Sequence, residues 1–216
     1  MNTKHKYVAV AIVSILSLLG GLIVGFKSQP AVTHAIWVDQ AFTVAEVSKS
    51  ADLIVRVYET EAETRELKSV LPYYADDQKT IDGYKEFIDY FTDSKMQVLE
   101  IYKGTADEYI TVMQTGGAPS VTDSDVKITP SIEGDPIFAA GSEHILFLVD
   151  ITDDGVQSTT GRKLYRIVNP LGRYEIKDGN LITPSSYISL DESDALKLPK
   201  SLDELIEQIK LSLIEK

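Results

Sequence analysis

The sequence predicts a mainly β protein of the α+β kind: an N-terminal transmembrane helix, then one small closed or partly closed β-barrel with helices packed outside it. Three observations lead there. A run of apolar and small residues without a single charge extends from Tyr7 to Phe26. Beyond it, six or seven segments rich in β-branched and aromatic residues are separated by Gly, Pro, Asn and Asp. The helical patterns that accompany them are too few for an open sheet in which strands alternate with helices.

The apolar run comes first. As a helix its twenty residues cover about 30 Å, the thickness of a bilayer's hydrocarbon core. Apolar regions of cleaved signal peptides are shorter, about 7–15 residues, so the length favours a retained anchor. Lys4 and Lys6 precede the run, only Lys27 follows closely, and the next lysine is Lys49. The positive-inside rule then keeps the N-terminus cytoplasmic and places the rest outside. Residues 1–30 thus read as tail and anchor, and 31–216 as one extracytoplasmic domain. A second reading stays open: cleavage near Ala35, after Thr33-His34-Ala35, would release the domain as a secreted protein. A lipoprotein anchor needs a cysteine after the run, and the chain has none.

The domain carries 18 Lys and Arg against 33 Asp and Glu, a formal charge of −15. Such a field repels phosphate, which argues against nucleic acid as a partner and against flat contact with anionic lipid. Without cysteine there are no disulfides, no thiol chemistry and no thiolate metal sites, so the core alone must stabilise the fold.

The elements follow in order. Thr43-Val44-Ala45-Glu46 is a capping box that opens a short helix to about Ser50. Leu53 to Tyr58 reads as a strand. Residues 60–94 read as a polar, acidic and aromatic insertion, in which Ile81, Tyr84, Ile88 and Phe91 fall at helical spacing. Met96–Tyr102 and Tyr109–Met113 read as antiparallel strands around a turn at Lys103-Gly104. Residues 116–136 read mainly as loop. Ile145 to Val149 is continuously apolar, as in a central strand buried on both faces. Leu164–Val168 is a strand stopped by Asn169-Pro170. Arg173–Ile176 and Leu181-Ile182 flank Asp178-Gly179, a hairpin signal. Ser201-Leu202-Asp203-Glu204 opens a C-terminal helix, 201–214, with Leu202, Leu205, Ile206, Ile209 and Leu213 as its apolar stripe.

Strand, Lys103-Gly104, strand, Gly116-Gly117, then Gly141 and Leu146-Phe147-Leu148 resembles a pattern in uncharacterised exported, membrane-anchored proteins of Gram-positive bacteria. The stretch Tyr165 to Tyr174, followed by Asp178-Gly179, belongs to the same pattern. The arrangement is also distantly similar to netrin-like and metalloprotease-inhibitor modules. That similarity implies an OB-like barrel. The inhibitors act through an N-terminal cysteine, which this chain lacks, so the resemblance implies the barrel without the mechanism.

No enzyme motif emerges. His34 and His144 are the only histidines beyond the apolar run, no Gly-x-Ser-x-Gly elbow exists, and His144 reads as a surface residue at a strand start. No His-Glu-x-x-His motif for zinc and no EF-hand loop are present; Asp123 with Asp125 and Asp153 with Asp154 read as solvated turns. Gly116-Gly117 lacks the Lys-Ser/Thr of a phosphate loop. The expectation is therefore no catalytic residue, no metal and no cofactor. The aromatics Tyr73, Tyr74, Tyr84, Phe87 and Tyr90 are the candidate binding residues, since tyrosine offers a large contact area at low entropic cost. The bland alternative is a helix packing its apolar face on the barrel. The function expected is a membrane-anchored extracytoplasmic binding or interaction module, its partner an envelope protein or polysaccharide. The rival expectations are a carboxylate-dependent enzyme acting on cell-envelope material and a structural surface protein.

Overall fold

The structure is a computed structural model that describes residues 32–33, 43–74, 79–117, 131–132, 134–153, 161–184 and 198–214. The expected anchor and the cleavage site at Ala35 lie outside the described residues. Among the described residues, no helix is long and apolar enough to cross a membrane.

The fold is mainly β. The strands are β1 (Val32–Thr33), β2 (Leu53–Tyr74), β3 (Ile81–Lys103), β4 (Tyr109–Thr115), β5 (Ser131–Ile132), β6 (Glu143–Asp150), β7 (Tyr165–Ile167), β8 (Arg173–Lys177) and β9 (Asn180–Ile182). The helices are α1 (Val44–Ser50) and α2 (Leu202–Ile214), and a 3₁₀ turn at Pro170–Gly172 links β7 to β8. β1 and β5 form a short parallel pair. The other seven strands form one sheet in the order β2-β3-β4-β7-β6-β8-β9, and β2 also pairs with β6. Only β4 and β7 run parallel in that sheet; every other pairing is antiparallel.

Local chemistry explains several boundaries. Thr43 caps α1 by accepting a bond from the Glu46 amide at 3.2 Å, while the Glu46 carboxylate accepts from the Thr43 amide at 2.9 Å. The cap of α2 differs in one respect. Ser201 Oγ accepts from the Glu204 amide at 3.2 Å, but the Glu204 carboxylate reaches past Ser201 to the Lys200 amide at 2.8 Å. Asn169 accepts from the Leu171 amide, and Pro170 cannot continue the β7 ladder, so the chain turns there. Asp178 and Gly179 take φ of 51° and 76°, the two left-handed positions of a tight hairpin turn between β8 and β9.

Alternation divides most of the core in two, and a third, smaller cluster joins Phe91 of β3, Met113 of β4, Ile151 and Leu164. Ile54 of β2 and Ile145 and Phe147 of β6 face α1, α2 and Tyr174, with Val47, Leu205 and Ile209 closing that side. Leu53, Val55 and Val57 of β2 face the other way and meet Met96 of β3, Val112 of β4, Leu146 and Leu148 of β6 and Ile167 of β7. β6 is thus buried on both faces, as its continuous apolar run predicts.

Two expectations are overturned. The described residues of 60–94 hold no helix: β2 and β3 continue through them as one long antiparallel hairpin, paired from Ile54–Lys103 to Tyr74–Ile81. Residues 81–92 explain it. Seven of those twelve are β-branched or aromatic, and Gly83 would cost a helix about 1 kcal/mol relative to alanine. The helical spacing of Ile81, Tyr84, Ile88 and Phe91 is incidental to a register that scatters them over both faces of a ribbon. His144 is not a surface residue either. It is 0% exposed, with its ring edge-on to Phe138 at 4.8 Å between centroids and its Nε2 2.7 Å from Ser142 Oγ.

Candidate interaction surface

The hairpin has a buried root and an exposed arm. At the root, Tyr90, Phe91, Thr92, Asp93 and Ser94 are all buried. Asp93 accepts from Arg65 Nε at 2.9 Å and faces Arg162 at 3.6 Å, and the Arg65 guanidinium lies 5.4 Å from the centre of the Phe91 ring. Burial raises the Asp93 carboxyl above its usual range against the opposing pull of the two arginines. Thr92 Oγ1 donates to the Gly116 carbonyl at 2.9 Å, and the Gly116 amide bonds the Tyr90 carbonyl at 2.9 Å. Gly117 has a φ of 120°, and a Cβ there would stand 2.5 Å from Thr92 Oγ1. The end of β4 is therefore closed down on the root, as its paired glycines permit.

Beyond the root the ribbon is exposed on both faces. Val70, Leu71, Tyr73, Tyr74, Ile81, Tyr84 and Ile88 are all exposed, Tyr84 to 67%. Opposed residues of an antiparallel pair share a face. One face therefore carries Lys68 opposite Ile88, Val70 opposite Glu86 and Pro72 opposite Tyr84. The other carries Leu71 opposite Lys85 and Tyr73 opposite Gly83. The Tyr73 ring lies across Gly83, since a Cβ on that glycine would sit 2.5 Å from its hydroxyl oxygen. An aromatic covering a cross-strand glycine restores packing that the glycine cannot supply.

The candidate binding residues thus separate. Tyr73, Tyr74 and Tyr84 stand together near the arm's end, Phe87 pairs with Ser69 in the register along its length, and Tyr90 belongs to the buried root. Val70, Leu71, Ile81 and Ile88 join the exposed set and are not among the candidate binding residues read from the sequence. The unbroken apolar and aromatic run Val70–Tyr74 was the available signal.

The remaining polar groups of the body serve its own architecture. Asp135 and Arg173, both buried, pair at 3.3 Å. Gln114 Nε2 donates to Asp135 at 2.6 Å and to the Pro136 carbonyl at 2.8 Å, while its Oε1 accepts from the Phe138 amide at 2.9 Å. Arg173 also donates to the Pro136 carbonyl, and its guanidinium lies over the Phe138 ring at 4.1 Å. This network ties the segment before β6 to β4 and β8. Burial pushes the Asp135 carboxyl up to about 6. Burial, and then the Arg173 charge, push His144 down to about 3.

A cavity of about 420 Å³ lies beside β4, lined by Thr105, Tyr109, Thr111, Arg162, Lys163 and Tyr165 among others. Its cations face acids: Arg162 faces Asp93, and Lys163 lies 3.7 Å from Asp150. The two carboxyls raised by burial, Asp93 and Asp135, line neither this cavity nor the one at Asp150–Asp153. Among the described residues no group of three His, Asp or Glu is placed to hold a metal ion.

No family model matches the chain, and no curated protein is significantly similar to it.

Proposed function

We propose that this protein is a membrane-anchored extracytoplasmic interaction module, built on an OB-like barrel, whose contact surface is the arm formed by the distal halves of β2 and β3. The observation that carries the reading is the arm itself. A two-stranded ribbon is marginal in water unless another layer covers it. This one presents tyrosine, valine, leucine and isoleucine on both faces, where a free monomer gains nothing from exposing them.

The pairing circuit β2–β3–β4–β7–β6–β2 supports the barrel, because it returns to its starting strand and one apolar cluster draws on all five strands. OB-type barrels bind ligands on one strand face and on the connections beside it, which are the connections between the first two and the last two strands of the circuit. Here those are the arm and the segment between β6 and β7 that carries Arg162. The uncharged run Tyr7–Phe26 and its flanking lysines support the anchor.

The test is a shortened arm. Leu67 and Asp89 are paired, so replacing Lys68–Ile88 by Asn-Gly closes the ribbon with a two-residue turn. The body should unfold at an unchanged temperature, while complexes trapped by crosslinking in the native cell disappear. Complexes that persist unchanged with the shortened arm would place the contact surface elsewhere.

A further inference from the structure

The arm has a free edge whose extent is well defined. Up to Glu59, β2 is held on both sides, by β3 and by β6, and the last bond to the latter side runs from the Glu59 amide to the Ser142 carbonyl at 2.9 Å. From Thr60 to Tyr74, among the described residues, β2 pairs only with β3. Pro72 lies in this stretch, and within sheets proline is confined to edges, strand starts and bulges. A strand edge of this length, with no second strand beside it among the described residues, is a template for another strand.

We propose that the edge Thr60–Tyr74 pairs antiparallel with the same edge of a second copy of this chain, across a two-fold axis through Leu67. The proposal rests on the reading of the arm as the contact surface and names its partner. Leu67 is the midpoint of the free edge, so this register uses all fifteen residues of both copies. Residues equally far from Leu67 then stand opposite one another. Glu66 of each copy faces Lys68 of the other, and Glu63, Arg65 and Glu61 face Leu71, Ser69 and Tyr73. No like charges meet. Glu66 and Lys68 already pair within one chain at 3.1 Å, on one face of the strand. A two-fold pairing therefore closes a ring of four alternating charges. Neighbouring registers fail this test: centring on Arg65, Glu66 or Lys68 sets that charge against its own copy. Centring on Thr64 opposes Glu63 to Arg65, but pairs only nine residues of each edge. Symmetry makes the contact isologous and closed, so it yields a dimer and not a fibre. It also turns each two-stranded ribbon into part of a four-stranded sheet, above the size at which a sheet is stable in its own right.

The chain's lack of cysteine makes the test clean. Full-length protein is purified in non-ionic detergent and given one thiol at a time. Leu67→Cys should form a disulfide-linked dimer on mild oxidation, because directly opposed residues stand about 4.5–5.5 Å apart. Thr64→Cys and Val70→Cys should give no link singly and a link when mixed. Glu66→Lys or Lys68→Glu should each weaken self-association about tenfold, as two symmetry-related attractions become repulsions. The double exchange Glu66→Lys/Lys68→Glu should restore it. A monomeric chain, a link at Thr64→Cys alone, or self-association indifferent to both reversals would overturn the proposal. If the chain is monomeric yet arm shortening still abolishes its in-cell complexes, self-pairing falls and the arm remains the surface for a different partner. If arm shortening changes no complex, the broader reading falls as well.

Discussion

Two buried residues of the body, Asp135 and His144, pull stability in opposite directions with pH. Asp135 titrates near 6 in the fold and near 4 in the unfolded chain. Between those values the folded protein holds a proton that the unfolded chain releases, so stability falls as pH rises through the window. His144 titrates near 3 in the fold and near 6.5 when unfolded. Between those values the unfolded chain binds the extra proton, so stability rises with pH. Asp135→Asn should make stability rise more steeply with pH than in the parent, and His144→Gln should make it fall more steeply. Urea midpoints at pH 4, 5 and 6 read the slopes directly; parallel slopes in the parent and both variants would contradict the assignment. At the root of the arm, Gly117→Ala should destabilise by about 1–3 kcal/mol, since φ is 120° and the new Cβ would strike Thr92. Thermal unfolding measures it, and an unchanged midpoint would show that the end of β4 shifts freely.

The elements differ in what holds them. β6 is buried on both faces, and Phe147→Ala should cost about 3–5 kcal/mol by leaving a cavity between the sheet and Tyr174. Tyr84→Ser on the arm should change stability by less than about 0.5 kcal/mol, because the ring touches little and is mostly in water. Chemical denaturation of the two variants side by side checks the contrast; comparable losses would mean that the arm is part of the core. The same contrast explains what was legible in the sequence. β6, the β8–β9 hairpin and the capping box at Thr43 were readable because burial, turn chemistry and capping act within a few residues. The arm was not. Its strands are specified by each other across the ladder, and solvent on both faces leaves no apolar alternation to follow. His144 was misread for a related reason: Phe138, Ser142 and Arg173 surround it only once β6 and β8 have paired.

For the whole molecule, the fold separates a self-sufficient body from an arm that is not. The body has three apolar clusters, a buried polar network around Asp135 and helices that cover one face. The arm has exposed apolar side chains, an edge of β2 with no second strand beside it among the described residues, and a root fastened through Arg65, Asp93 and Thr92. A domain of charge −15 is repelled by anionic lipid, so an N-terminal anchor would hold it at a membrane that its own surface does not seek. Fractionation of intact cells with and without residues 1–30 checks that step: the full chain should sediment with membranes and the shortened one should not. Equal partitioning would remove the anchor from the account.

The central claim is that the arm, and not the body, meets a partner. A photo-crosslinking amino acid placed singly at Tyr74, at Tyr84 and at Lys177 in the native cell tests it most directly, since all three side chains are exposed and Lys177 lies on the body at the β8–β9 turn. Discrete adducts from Tyr74 and Tyr84, with none from Lys177, are the expected result. Adducts from Lys177 alone, or none from either arm position, would contradict it.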